Sequence, residues 1–168
     1  LIYNPWFEKN GIDAVVVPMG VRAEDFPGVL ASLRKLTNLH GALVTMPHKV
    51  TVVDLLDESS TTVKIAGSCN ALLLRPDGTL VGDMFDGAGF ARGLKRKGFV
   101  IAGSSCLVIG TGGVGSAIAA SLAAEGPASI SLFDTSAAAA EGLAARLREH
   151  YPRIAVDLRS NDPAGYDL

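Results

Sequence analysis

The chain has 168 residues, 48% of them hydrophobic, enough to bury the core of one domain or two small ones. Fifteen Lys and Arg against 17 Asp and Glu leave a net charge of −2, and no basic run exists to neutralise a track of phosphates, which argues against nucleic acid as a partner. The longest apolar stretches, Ser129 to Phe133 and Ile118 to Ala124, are far shorter than the roughly 20 residues of a membrane span, so a soluble protein with no membrane partner is expected.

Ala14 to Val17, rich in β-branched residues and stopped by Pro18, predicts a short buried strand. A helix follows, because Phe26, Val29, Leu30, Leu33 and Leu36 recur at helical spacing, with Asp25 placed to cap it and Gly41 beyond its end. Ala42 to Val44 predicts a second strand, running into Thr45-Met46-Pro47-His48-Lys49 before Val50 to Leu56 resumes a helical pattern. Asn70 to Leu74 and Thr79 to Val81 flank Arg75-Pro76-Asp77-Gly78, a proline-then-glycine sequence suited to a β-turn, and together predict a hairpin. Asp86-Gly87-Ala88-Gly89 then opens a helix carrying Phe90 and Leu94 on its apolar side and ending near Lys97-Gly98.

After Gly98 the composition changes. Strands Cys106 to Ile109, Ser129 to Phe133 and Ile154 to Leu158 alternate with Ala-rich helices Val114 to Glu125 and Ala137 to His150, the pattern of βαβ units on a parallel sheet. A domain boundary is expected near residues 98 to 103. There is no internal repeat, and the run Ala137 to Ala145 needs no special role because Ala is the best helix former. Cys69 and Cys106 stand in unrelated contexts, so neither a disulfide framework nor a metal-binding pattern is predicted; both read as small core residues in a reducing cytoplasm. The chain opens without Met and closes on Gly165-Tyr166-Asp167-Leu168, where an apolar strand is beginning, so it reads as a fragment of a longer protein.

Gly110-Thr111-Gly112-Gly113-Val114-Gly115 directly follows a predicted strand and opens a predicted helix, the context in which a G-x-G-x-x-G pattern points to a dinucleotide. The first glycine permits the tight turn, the second lets the backbone approach a pyrophosphate, and the last allows helix to pack on sheet while unpaired N–H groups and the helix dipole face the anion. Asp134 ends the next strand at about the separation where a carboxylate reaches the adenosine ribose hydroxyls. Its charge would repel a 2′-phosphate and Thr135-Ser136 offers no arginine to receive one, so NAD is preferred over NADP. The structural alternative is that Asp134 caps the helix beginning near Ala137.

Three further segments, Val44-Thr45-Met46-Pro47-His48-Lys49, Ala66-Gly67-Ser68-Cys69-Asn70 and Gly82-Asp83-Met84-Phe85-Asp86-Gly87, resemble in type and order those of the shikimate/quinate dehydrogenase family. The resemblance covers nearly the whole chain and implies an α/β protein with an N-terminal substrate-binding domain, here 1–98, and a Rossmann-type dinucleotide-binding domain, here 99–168, both incomplete. It implies Lys49 and Asp86 as the catalytic pair, Thr45 and Asn70 as ligands of substrate hydroxyls in the interdomain cleft, and a small cyclic hydroxy acid as substrate. A monomer or homodimer is expected. Family members also carry upstream serines that hold the substrate carboxylate, and a further downstream strand; of the upstream region only Tyr3-Asn4 remains.

Those residue types suit the chemistry. Oxidising a secondary alcohol removes a hydride to the nicotinamide and a proton from oxygen, so a proton acceptor must touch that oxygen. A neutral Lys49 base needs burial that disfavours the ammonium, whereas a neighbouring Asp86 favours it; the alternative role has Asp86 orient Lys49 and hold the hydroxyl while Lys49 donates a proton during ketone reduction. Both roles stay open. An isolated Lys is usually solvated, Asp before Gly is usually a cap, Thr45 suits a turn and Asn70 a strand edge; four matches in order outweigh these readings. His48 matches no family position and receives no role.

The chain departs from the family where Leu43 replaces an Asn and Met84-Phe85 replace Asn-Thr before the catalytic Asp. The lost hydrogen-bonding groups and added bulk imply a shifted preference among polyols or a low activity. The leading reading is an NAD-dependent oxidoreductase acting on shikimate, quinate or a related hydroxy acid. A noncatalytic regulatory protein binding the same ligands is the alternative, and an amino-acid or folate-type dehydrogenase of similar plan matches less well around Asn70 and Asp86.

Overall fold

The computed structural model describes residues 2–159 and 161–168 as an α/β protein with two sheets. The first half contains α1 (Tyr3–Lys9), α2 (Phe26–Leu33), β1 (Gly41–Leu43), α3 (His48–Thr51) continued by a 3-10 turn over Val52–Leu55, β2 (Glu58–Ser59), α4 (Thr61–Ala66), β3 (Ala71–Leu74), β4 (Leu80–Asp83) and α5 (Asp86–Arg96). The second half contains β5 (Ser105–Ile109), α6 (Gly113–Ala124), β6 (Ser129–Phe133), α7 (Ala137–His150) and β7 (Ala155–Leu158).

The first sheet has the order β1-β3-β4-β2. The predicted hairpin is β3 and β4, antiparallel with Leu74 opposite Leu80 and Ala71 opposite Asp83. Its turn is closed by the Gly78 N–H on the Arg75 carbonyl at 2.9 Å, with Gly78 at φ +86°, a left-handed backbone that glycine adopts without a Cβ clash. On β4 and its exit, Leu80, Gly82 and Met84 alternate inward, and with Val52, Val63, Cys69 and Leu72 they form the buried core of this half.

The strand expected over Ala14 to Val17 is absent. Val15, Val16 and Val17 are exposed, and no sheet reaches them; instead the Asn4 carboxamide takes both backbone groups of Val16, accepting from its N–H at 2.8 Å and donating to its carbonyl at 3.1 Å. A β-branched run becomes a strand only where a neighbouring chain offers hydrogen-bonding partners, and here a side chain supplies them. The Asp25 cap is also absent: its carboxylate pairs with Arg22 Nε at 2.7 Å, and the helix ends at Leu33, leaving Leu36 exposed. Phe90, placed on the apolar side of its helix, is 41% exposed.

The second sheet is parallel in the order β5-β6-β7, with α6 and α7 as crossovers. Its core joins Cys106, Ile130 and Leu132 of the strands to Leu122, Leu143 and Leu147 of the helices, all at most 1% exposed. Beyond the other edge of β5 lies the chain's last residue: Leu107 N–H donates to the Leu168 carbonyl at 2.8 Å and Leu168 N–H to the Ser105 carbonyl at 3.3 Å, the beginning of a parallel pairing. Both cysteines are free and buried, and burial raises the pKa of each thiol. Among the described residues, no helix is long and apolar enough to cross a membrane.

The two cores interlock. Ile65 of α4 and Ala91 of α5 lie in the core of the second half, while Ala117 of α6 lies in that of the first. Gly87 rests on the α6 backbone so closely that a Cβ would overlap the Ala117 carbonyl oxygen and Ser121 Oγ. Arg146 of α7 donates from Nε to the Ile65 carbonyl at 2.7 Å near the C-terminus of α4.

Candidate active site

Topology explains why three residues distant in sequence meet. Strand β3 runs antiparallel to both β1 and β4, so the end of β1, the start of β3 and the end of β4 share one edge of the sheet. Lys49 follows β1, Asn70 immediately precedes β3 and Asp86 follows β4. The backbone locks them in register: Val44 N–H donates to the Asn70 carbonyl at 2.9 Å, Asn70 N–H to the Asp83 carbonyl at 3.0 Å and Cys69 N–H to the Lys49 carbonyl at 2.8 Å.

Lys49 Nζ donates to Asp86 Oδ2 at 2.7 Å, with the side chains 20% and 30% exposed. Asn70 Nδ2 donates to Asp86 Oδ1, also at 2.7 Å. The Asn70 carboxamide oxygen accepts the Phe85 N–H at 3.0 Å, which leaves Asn70 one N–H for a ligand. Each oxygen of Asp86 is thus held by a donor from a different element. The pair is half open, as a group that must meet a ligand has to be, yet desolvated enough for its hydrogen bonds to fix orientation.

Thr45 is exposed four residues before Lys49, its carbonyl accepting the His48 N–H at 3.0 Å, and among the described residues no group holds its hydroxyl. The Met46–Pro47 peptide is cis. His48 has a packing role: its ring stacks on Phe26 with centroids 4.2 Å apart, and Nε2 meets the Val21 carbonyl at 3.0 Å. Of the expected bulky intruders, Met84 is only 1% exposed and belongs to the core, because the period-2 alternation of β4 carries it inward. Phe85 alone is exposed beside Asp86, at 54%, and Leu43 is equally exposed on β1.

The glycine turn stands at the C-terminal end of β5. Gly110 has φ +91°, and a Cβ on Gly115 would overlap the Gly110 carbonyl oxygen, so both positions demand glycine. Gly112, Gly113 and Val114 are exposed at the N-terminus of the 12-residue α6, where no side chain caps the first turn. This open, bare-backbone cradle fits the pyrophosphate of a dinucleotide. Ser68, buried beneath the turn two residues before Asn70, brings the two halves of the site together, its Oγ reaching the Gly113 carbonyl at 3.5 Å.

Asp134 turns inward to the turn. Its Oδ2 accepts both the N–H and the hydroxyl of Thr111, at 2.6 and 2.9 Å, and its Oδ1 accepts the Ser136 N–H at 2.9 Å. These bonds, first that from Ser136 and then those from Thr111, lower its pKa to about 2. The cap of α7 is Ser136, whose Oγ accepts the Ala139 N–H, so the capping alternative for Asp134 does not apply. Asn70 as a partner of Asp86, and Thr111 as the residue gripped by Asp134, are contacts that sequence reading missed. The Ser68 contact was missed as well, with no motif to mark it.

Residues 1–72 match the family model described as the shikimate dehydrogenase substrate binding domain. A shikimate dehydrogenase (NADP(+)) of Geobacter metallireducens is 40% identical over 144 residues, covering 85% of this chain and 50% of that protein. A quinate/shikimate dehydrogenase of Escherichia coli is 34% identical over 131 residues, 78% of this chain and 45% of its own. Among solved structures, the shikimate 5-dehydrogenase of Listeria monocytogenes, in complex with shikimate and NAD, superposes with a TM-score of 0.85 at 30% identity over 94% of this chain and 54% of that one. The chain spans about half the length of the curated relatives it matches. These likenesses run through both the substrate-domain segments and the dinucleotide turn, so the chain is similar to shikimate and quinate/shikimate dehydrogenases along most of its length.

Proposed function

We propose that the protein transfers a hydride between a nicotinamide dinucleotide and the secondary hydroxyl of shikimate, quinate or a related cyclic hydroxy acid. The observation that carries this reading is the Lys49–Asp86 pair, 2.7 Å apart and half open, on the sheet edge that faces the glycine turn through Ser68. The relatives' names, shikimate dehydrogenase and quinate/shikimate dehydrogenase, support the substrate class. No observation favours a noncatalytic role.

In this reading a bound nicotinamide supplies the hydride acceptor or donor. Lys49 passes the proton to or from the reacting oxygen, at Nζ; Asp86 orients Lys49 and holds the hydroxyl; Asn70 fixes Asp86 and offers its remaining N–H to a second hydroxyl. Thr45 contributes its free hydroxyl from the rim. Gly112, Gly113, Val114 and Gly115 hold the pyrophosphate by backbone, and Gly110, at φ +91°, makes the tight turn that presents them to the cofactor. The substrate domain comprises 1–98 and the dinucleotide domain 99–168, a division supported by the two sheets falling on either side of it.

NAD is preferred over NADP. The support is the ionised Asp134 at the end of β6, with Thr135-Ser136-Ala137-Ala138 supplying no cation for a 2′-phosphate. The NADP(+) in the name of the Geobacter relative points the other way, so the cofactor is tested directly. Absorbance at the reduced-nicotinamide band is followed with shikimate and quinate, each against NAD and NADP. Turnover with at least one acid, abolished in Lys49→Ala while dinucleotide binding persists, is the expected result; normal turnover by Lys49→Ala would remove the proton role from that residue.

A further inference from the structure

Thr111 is held at every polar atom it has. Its N–H and hydroxyl both donate to Asp134 Oδ2, and its carbonyl accepts the Ser116 hydroxyl at 2.7 Å. Thr111 and Ser116 are 7% and 1% exposed, so water has little access to their side of these bonds. On either side the turn is pinned by glycine geometry, Gly110 at φ +91° with its N–H on the Phe133 carbonyl at 2.7 Å, and Gly115 packed on the Gly110 carbonyl.

Asp134, for its part, has little left to give. A carboxylate offers about four acceptor positions. Oδ2 serves the two donors of Thr111, and Oδ1 serves the Ser136 N–H at 2.9 Å and the Thr135 hydroxyl at 3.4 Å. A ribose hydroxyl would have to displace one of them.

We propose that Asp134 is a positioning residue, a clamp that presets the glycine turn through Thr111, rather than the residue that reads the ribose by hydrogen bonds. The consequence for recognition is specific. Thr111 contributes no N–H to a phosphate, so the donors are those of Gly112 to Gly115, held in place before any ligand arrives. The carboxylate's influence on NAD against NADP is then one of charge at a distance, while its influence on dinucleotide affinity runs through the shape of the turn and applies to both cofactors. This inference rests on the glycine turn being the dinucleotide site.

The test combines hydrogen exchange on the ligand-free chain with dinucleotide titration. In Asp134→Ala the Thr111 amide is expected to exchange roughly 10-fold faster or more, as for loss of a charge-assisted hydrogen bond, while the Leu132 amide in the adjacent core changes only as far as global stability does. Thr111→Val, a milder change that keeps the backbone N–H, is expected to accelerate the same amide. Titrated with NADH and NADPH, each single variant weakens NADH, and the double variant is little worse than the worse single, because both remove one clamp. Unchanged Thr111 exchange overturns the proposal, as does a Thr111→Val that binds NADH normally beside an Asp134→Ala that loses NADH and gains NADPH. If the chain binds neither dinucleotide, the cofactor reading fails, and the exchange of Thr111 against Leu132 still decides whether the clamp exists.

Discussion

The two ends of the site are built on opposite principles. The proposed proton end is made of side chains from three strand ends, Lys49, Asn70 and Asp86, joined by hydrogen bonds of 2.7 Å across 16 to 37 residues of chain. The proposed cofactor end is made of backbone, the turn from Gly110 to Gly115 with glycine at four of its six positions, where Gly110 and Gly115 have no room or conformation for a Cβ. The first is therefore vulnerable to removing atoms and the second to adding them.

The largest effect expected from that contrast is at Lys49. Lys49→Ala should lower turnover by about 100- to 10,000-fold, the range for loss of a general acid–base group, with dinucleotide affinity unchanged in a fluorescence titration. A variant that lost both together would erase the distinction between the two ends. Next comes Gly115→Ala, in which one methyl meets the Gly110 carbonyl; it should lose about 1–3 kcal/mol of stability in denaturant unfolding and weaken cofactor binding. Asn70→Ala should cost roughly 10-fold in kcat, since it frees one carboxylate oxygen of Asp86 and leaves Lys49 in place.

A smaller effect concerns acid. The folded pKa of Asp134 lies near 2, below its unfolded value, so its bonds contribute stability above about pH 4. That contribution fades as pH falls from about 4 to about 2. The Tm difference between the parent protein and Asp134→Asn should accordingly be fullest near neutrality and shrink as pH falls through about 2; a gap that widened in acid would contradict the assignment. The smallest effect is a gain. Gly89 lies within α5 with open space where a Cβ would stand, and Gly89→Ala should stabilise by about 0.4–1 kcal/mol.

Legibility divides along similar lines. Between residues 99 and 168 the strand Ser129–Phe133 and the helix Ala137–His150 match the expectation to the residue, and the others differ by one at their ends, because local periodicity and caps decide βαβ units. The N-terminal half depends on pairing between distant segments. Ala14 to Val17 has strand composition without a partner, and α4, only six residues long and rich in β-branched residues, passes unnoticed although Ser60 and the left-handed Gly67 bracket it. The helix Tyr3–Lys9 buries nothing and so leaves no amphipathic trace.

At the site, the residue types and their order were readable at Lys49, Asp86 and Asn70, but not that Asn70 would spend its donor on Asp86. Nor was it readable that Met84 would face the core, although the alternation Leu80, Gly82, Met84 contains that information. Asp134 stood where a ribose ligand is expected, and only distances reveal that its oxygens are turned toward Thr111.

The exchange of residues between the two cores limits how such a protein can be recombined. A graft that replaced everything after residue 98 with the equivalent module of a relative would sever the covalent chain at a loop while leaving Ala91 and Ile65 facing a foreign surface, and would take Ala117 away from its neighbours. A chimera intended to change cofactor use should therefore carry α4 and α5 along with the transplanted sheet, or keep α6 native and alter only the loop after β6.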